Sequence, residues 1–341
     1  MNYLTLAERK CRFEAWRKTL SPRITTYYLD TYYAHRDESP LLRESYAQQA
    51  FWLNSEMAIS PDDLIIGAFC SKEPVGFHYG CGTYANNWVV DEYAVQENLT
   101  ADERNKINEK MVAVSERAYQ YYAPIFTDEE LSSIQSHAAT TTWFGGHMIL
   151  DYETVLKIGL SGYRKEIEKN RATHGPEKQD FYDAMTVTLE SIHAVILRFA
   201  AVSQKLAKQG NVNMAEMAAV LTCIADAPPV TFHQALQLIW ILHMLDNSDS
   251  FGRFDQYLLP FYLSDLQKGI LNQETAKALL TDFWLKIELT DQIQNMTIGG
   301  VNDEGQKLYS ALTILCLEVT RELAYKGPNL CLRITPDMPE N

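Results

Sequence analysis

The sequence predicts a helix-rich α/β protein with a small number of buried strands. The 341 residues are 46% hydrophobic, enough to bury a large core as one big domain or two smaller ones. Only 16 glycines and 12 prolines interrupt them, a low share that fits helices better than loops. Apolar residues recur at helical spacing over most of the chain, whereas alternating strand patterns are few and short.

The elements follow in order. Residues 6–20 carry apolar side chains at helical spacing, and Pro22 ends that helix. A second helix is expected over 41–57, before the start signal Ser60-Pro61-Asp62. "DDLIIGAF" reads as a short β-type run, and the Gly-, Tyr- and Asn-rich stretch from there to Trp88 reads as irregular. An amphipathic helix spans 101–121, and Thr127 with Glu130 forms a capping box for the next. Asp151 is an N-cap for a helix from Tyr152, accepting from the amide of Glu153 or Thr154. Residues 192, 195, 196, 199 and 202 lie on one face of a long helix over 179–209. A helix over 214–225 stops before Pro228-Pro229, and 232–245, apolar almost all round, predicts a buried helix. Two further helices are expected over 272–288 and 306–326. The best strands are 295–300, followed by the turn "NDEG", and 329–334.

Charge and targeting signals narrow the function classes. A formal charge of −14 argues against nucleic acid or an anionic membrane as the main partner. The N-terminus lacks the apolar core of a signal peptide, and the longest apolar stretch, 236–245, is too short to span a bilayer. Six scattered cysteines without regular spacing read as reduced thiols, which predicts a cytoplasmic protein.

Generic chemistry motifs fail one by one. "GCGTYA" lacks the flanking strand and helix that a dinucleotide fingerprint requires. "GLSGY" falls inside a helical pattern, and no P-loop is present. The eight histidines show no zinc-binding spacing, so no metal site is expected, and His243 reads as a hydrogen-bonded core histidine. Trp143 stands before Gly145 and Gly146 as a cavity wall or as packing.

The segment "APPVTFHQALQLIWILHMLDNSDSFGRFDQYLLPFYLSDL" (227–266) closely resembles the pattern of glycyl radical enzymes, the pyruvate formate-lyase-like family. There PP-x-TF-x-x-ALQ-x-x-W is followed by GR-x-DQYL-x-P-x-Y-x-x-D. "DDLIIG", "GHMILDYETVLKIGLSG", "KGILNQETAKALLTDFWLKI", "NMTIGGVNDEG" and "PNLCLRI" resemble further family segments in the family's order, while 68–100 departs from it. The resemblance covers 1–341 and leans towards the dehydratase-like members.

It implies the N-terminal half of a ten-stranded α/β barrel wrapped by helices. It also implies anaerobic radical chemistry on a small polar substrate, of the formate C-acetyltransferase or the dehydratase and lyase type. The radical sits on a glycine and is installed by a separate S-adenosylmethionine/iron–sulfur activase, with no cofactor bound directly. A cysteine loop relays it, and both loops lie C-terminal to the segments found here. The expectation is therefore no catalytic residue in this chain. Its expected partners are a C-terminal half or a second copy, the activase and a substrate, with a non-catalytic remnant or partner-binding protein as the alternative.

For His147 the resemblance implies a place on the substrate cavity, where an imidazole both donates and accepts; a capping histidine at a strand end is the competing reading. Trp143 and Asp151 flank it as substrate-binding candidates. Arg253, Asp255 and Gln256 are the structural GR-x-DQ motif, with Arg253 and Asp255 expected as a buried ion pair. Cys331 is expected as a buried thiol acting as a small hydrophobe.

Overall fold

The computed structural model describes residues 4–78, 82–85, 87–122, 127–136, 149–211, 213–246, 248, 250–290 and 294–335. α1 (Leu6–Arg17) starts from a reciprocal capping box: the Glu8 amide donates to Thr5 Oγ1 at 3.3 Å, and the Thr5 amide to Glu8 Oε2 at 2.9 Å. β1 (Arg23–Ile24), α2 (Tyr27–Ala34) and α3 (Pro40–Asn54) follow, the last with Pro40 at its first turn. β1 pairs in parallel with β2 (Ser71–Lys72). The region expected to be irregular contains an antiparallel hairpin, β3 (Val75–His78) with β4 (Gly82–Ala85), in the register Val75↔Ala85 to His78↔Gly82. Glycines dilute its alternating pattern, and cross-strand pairing settles it. α4 (Asn87–Gln96), α5 (Ala101–Tyr122) and α6 (Asp128–Ser136) complete this part, with α6 capped by Thr127 as expected.

The second part holds the main core. α7 (Tyr152–Arg171) starts at Asp151, whose carboxylate accepts the Thr154 amide at 3.0 Å. α8 (Gln179–Lys208) and α9 (Asn213–Asp226) lie side by side. α8 is long and apolar enough, by length and composition, to cross a membrane, which the sequence reading missed. It packs against α3, α7 and α9, yet only 33% of its most apolar stretch is buried. α10 (Phe232–Asp246) is buried on nearly every side, as its composition predicts.

β5 (Ser250–Arg253) leads into α11 (Phe254–Gln267) and α12 (Gln273–Leu289) before β6 (Asn295–Gly299). β6 gives way to the turn closed by the Gly305 amide on the Asn302 carbonyl at 3.0 Å. α13 (Ala311–Leu323) starts later than expected because Ser310 caps it, accepting from the Thr313 amide at 3.2 Å. β7 (Asn329–Arg333) ends the sheet, whose order is β5-β6-β7 with all strands parallel. Helical crossovers are what parallel neighbours require.

The run 62–69, expected as a strand, instead holds turns and bends over 61–65 and joins no sheet among the described residues, making a single antiparallel bridge from Phe69 to Met57. Helix side chains take the place of neighbouring strands. His233 Nε2 donates to the Leu64 carbonyl at 2.7 Å, Gln237 brackets Ile66, and Trp240 Nε1 donates to the Gly67 carbonyl at 2.6 Å. These three lie on one face of α10, at spacings of four and three residues. From α12, Asp282 accepts the amides of Leu64 and Ile65 at 2.8 and 2.6 Å, and pairs with Arg9 of α1 at 3.1 Å. One turn on, Lys286 meets Asp63 at 2.7 Å. Burial pushes the Asp63 carboxyl up to about 6 despite that lysine.

Candidate functional site: the open face of the parallel sheet

The two faces of the β5-β6-β7 sheet differ in character. Phe251, Met296, Ile298, Leu330 and Leu332 point to the core. The register then sends Asn295, Thr297 and Gly299 of β6, with Asn329, Cys331 and Arg333 of β7, to the opposite face. Asn329, Cys331 and Arg333 are exposed among the described residues. Parallel strands ordinarily bury both faces, so a polar open face marks a surface shaped for something other than packing.

Arg253 joins this face through a bulge. Ser250 pairs with Asn295, but it is Arg253, three residues on, that pairs with Thr297, only two residues beyond Asn295. The extra residue turns the side chain that strict alternation would bury out towards the open face. Gly252 sits at the bulge with φ 60, a left-handed conformation that suits glycine. A β-carbon there would lie 3.0 Å from Cγ2 of Ile149. The chain entering α7 therefore crosses β5 at this bulge. His147 and Trp143 lie outside the described residues.

Asp255 organises the carboxyl end of the sheet. It is fully buried, and its Oδ2 accepts the Gly299 amide at 2.9 Å and the Thr313 hydroxyl at 2.6 Å. Its Oδ1 accepts from Gln256 Nε2 at 2.8 Å, and the same Gln256 amide reaches the Leu308 carbonyl at 3.0 Å. Arg253 Nη2 donates to the Gly299 carbonyl at 2.8 Å. The expected ion pair between Arg253 and Asp255 is absent. The two side chains instead hold opposite sides of one residue, Gly299, because Asp255 turns inward at the start of α11 while the bulge turns Arg253 outward. Burial, and after it the Asp255 carboxylate, pushes the Cys316 thiol well above its ordinary range.

Two further expectations change. Cys331 is exposed on the polar face rather than buried, since its register partner is Thr297 and not a core residue. Asp151 lines the rim of a separate apolar groove of about 480 Å³ between α3, α7 and α8. There its helix-capping bond holds the carboxyl below the usual range.

The amino end of the sheet is held differently. His243 is buried, with Nδ1 at 2.9 Å from the Tyr152 hydroxyl, Nε2 at 2.5 Å from Gln294 Oε1, and its ring stacked on Phe251 at 3.7 Å. The Gln294 carbonyl in turn accepts the Asn329 amide at 2.7 Å. His243 is thus the hydrogen-bonded core histidine that its apolar helix predicts. Arg333, which sequence reasoning passed over, also stands on the open face, and its only signal was its place at the end of a strand.

Comparison with known proteins agrees with this architecture. Residues 6–341 match the family described as pyruvate formate lyase-like. The chain is 27% identical to the probable dehydratase YbiW of Escherichia coli (strain K12), over 96% of this chain and 47% of that protein. It is 24% identical to the (2S)-3-sulfopropanediol dehydratase of Klebsiella oxytoca, over 91% of this chain and 43% of that protein. A structure concerned with 1,2-propanediol dehydration in Roseburia inulinivorans superposes with a TM-score of 0.79 at 19% identity, covering 98% of this chain and 48% of that one. The glycerol-bound B12-independent glycerol dehydratase of Clostridium butyricum gives 0.76 at 21% identity, with coverage of 99% and 49%. The matched span is about half the length of each of these relatives. The chain belongs to the pyruvate formate lyase-like family of glycyl radical enzymes.

Proposed function

We propose that this chain is the N-terminal half of a glycyl radical dehydratase or lyase acting on a small polar substrate. On this reading the open face of β5-β6-β7 forms part of the wall of the substrate cavity inside a ten-stranded barrel. The observation that carries it is that polar face, with Arg253 turned onto it by a bulge, on a parallel sheet whose outer strands have no further strand partner among the described residues. Open edges favour a second polypeptide bearing the other strands, or self-association. The names of the matched relatives, dehydratases of sulfopropanediol and hydroxyproline and an isethionate sulfite-lyase among them, support the reaction class over formate C-acetyl transfer.

The chemistry of the reacting centre comes from the glycyl radical, installed by a separate S-adenosylmethionine/iron–sulfur activase. This chain's residues bind, orient and keep water out. His147 and Trp143, in the segment before α7, belong to the same wall on this reading. The compartment is the cytoplasm, in keeping with free thiols at Cys11, Cys70, Cys223, Cys316 and Cys331.

The test is anaerobic co-expression of this chain with a candidate C-terminal half and an activase. The expected result is a stable complex giving a glycyl radical signal by electron paramagnetic resonance. A chain that stays monomeric and yields no such signal with any cognate half would overturn the reading.

A further inference from the structure

α8 presents more apolar surface than its neighbours cover. Only 33% of its most apolar stretch is buried, although α3, α7 and α9 pack against it. Part of what stays uncovered is ordered along the helix. Phe181, Met185, Thr188 and Ile192 recur at steps of four, three and four residues, so they form one stripe. None of the four is buried, and Phe181 is 47% exposed. That stripe is one wall of the groove of about 480 Å³ between α3, α7 and α8. Leu160 and Tyr163 of α7, with the exposed Leu41 of α3, also line it.

The volume falls within the range of about 300–1,000 Å³ typical of small-molecule sites, which are mostly apolar with a few polar groups that fix orientation. Here the charged groups have one sign. Asp151 and Glu44 line the groove, and no Lys, Arg or His does so among the described residues. Asp151 is exposed, and the capping bond from the Thr154 amide favours its ionised form. Glu44 accepts from the Tyr28 hydroxyl and from Gln48 Nε2, the latter at 3.1 Å. The field of Asp151 reaches the apolar wall. Burial first, and then that carboxylate, push the Tyr163 hydroxyl above its ordinary range. An anion beside Tyr163 meets the same repulsion, whereas a cation is attracted.

We propose that the groove between α3, α7 and α8 binds a small apolar molecule with a cationic head, of the alkylammonium class. Its chain lies along the α8 stripe and its ammonium group beside Asp151 and Glu44. A second copy docked through the same patch would bring these carboxylates towards their own equivalents, a like-charge juxtaposition. The groove shares no lining residue with the open face of the sheet, so its ligand is independent of the reaction proposed there.

The experiment titrates the full chain with octylamine, octanol and octanoate at neutral pH, where the amine is protonated. Calorimetry gives the affinities, and the carbon-13 methyl signal of Met185, assigned through Met185→Leu, reports the place. Saturable binding of octylamine with a shift at Met185 is expected, octanol weaker and octanoate weakest. Along butyl-, hexyl- and octylamine the affinity rises by up to about fourfold per CH2, as burial of the chain requires. Asp151→Asn keeps a good helix cap and removes the charge. It lowers octylamine affinity about two- to fivefold and leaves octanol unchanged. Glu44→Gln acts in the same direction, and Thr188→Phe fills the groove and abolishes binding of both.

No saturable binding, octanoate as tight as octylamine, or an affinity independent of chain length would overturn the proposal. So would undiminished affinity in Thr188→Phe, which places the ligand elsewhere. Should that variant not fold, equal octylamine affinities in the parent, Asp151→Asn and Glu44→Gln overturn the charge recognition by themselves. A parent chain that sediments as a dimer, with the Met185 signal unmoved by octylamine, assigns the groove to a second copy instead.

Discussion

Gln237 completes the hydrogen bonding of Ile66 as a neighbouring strand would. Its Oε1 accepts the Ile66 amide at 2.7 Å, and its Nε2 donates to the Ile66 carbonyl at 2.6 Å. A side-chain carboxamide reproduces the donor and acceptor of a peptide group, so one residue of a buried helix stands in for a whole strand edge.

Gln237→Leu leaves both backbone groups of Ile66 buried and unpaired. The expected loss is about 2 to 6 kcal/mol, at roughly 1–3 kcal/mol per orphaned group, read as a lower urea midpoint at constant m. Gln237→Glu keeps the acceptor and loses the donor, and should be equally damaging because it adds a buried charge. An unchanged midpoint for Gln237→Leu would show that the run 62–67 does not depend on α10.

Asp255→Ala strips Gly299, Thr313 and Gln256 of one shared acceptor at a fully buried position. The expected cost is about 3 kcal/mol or more, at roughly 1–3 kcal/mol for each buried donor left without an acceptor. Asp255→Asn keeps one acceptor oxygen and should cost about half as much, while loosening the Gly299–Gly300 turn. Thermal melts of both variants check the order.

Gly159 lies within α7 at φ 65 and ψ −177, in a region of backbone space used almost only by glycine. A β-carbon there would stand 2.6 Å from the backbone nitrogen of Pro228. Gly159→Ala should therefore combine backbone strain of about 1–3 kcal/mol with an overpacking cost of similar size. Its melting temperature should fall well below that of Gly269→Ala, where φ is also positive but an added β-carbon meets nothing within 4 Å.

Glu73 has its carboxyl pushed up to about 8, chiefly by burial, while the Thr25 hydroxyl and the amides of Tyr27, Tyr28 and Leu29 pull it back. The folded state thus keeps a proton that the unfolded chain releases near its ordinary value of 4.5. Stability is greatest below that value and falls as pH rises to about 8, since the unfolded chain binds fewer protons across that window. Glu73→Gln removes this slope, so it should gain on the parent steadily from acid to mild alkali. Urea midpoints across that range measure it, and parallel curves would refute it.

Helix positions were readable because their signals are local. The 3.6-residue apolar period placed α8, α9 and α10 to within a few residues, and side-chain oxygens at Thr127 and Asp151 marked two helix starts. The motif order from 227 to 266 identified the family from the residues alone, and His243 followed from the apolarity of its helix. β5 escaped notice because four residues with a central glycine carry almost no pattern. The hairpin of β3 and β4 escaped for a related reason, since its pairing rather than its composition makes it a hairpin.

The helical class, the buried helix α10, the caps and the family membership are legible in the residues alone. What satisfies the run 62–67 is not, because its partners on α10 lie up to 173 residues away, beyond the reach of any periodicity. The tertiary structure alone placed Cys331 on the open face and parted Arg253 from Asp255. A bulge of one residue turned the arginine outward while the start of α11 turned the carboxylate in. Registers are settled between strands, by which face can be buried, and a side chain's direction along a single strand reverses with each residue added.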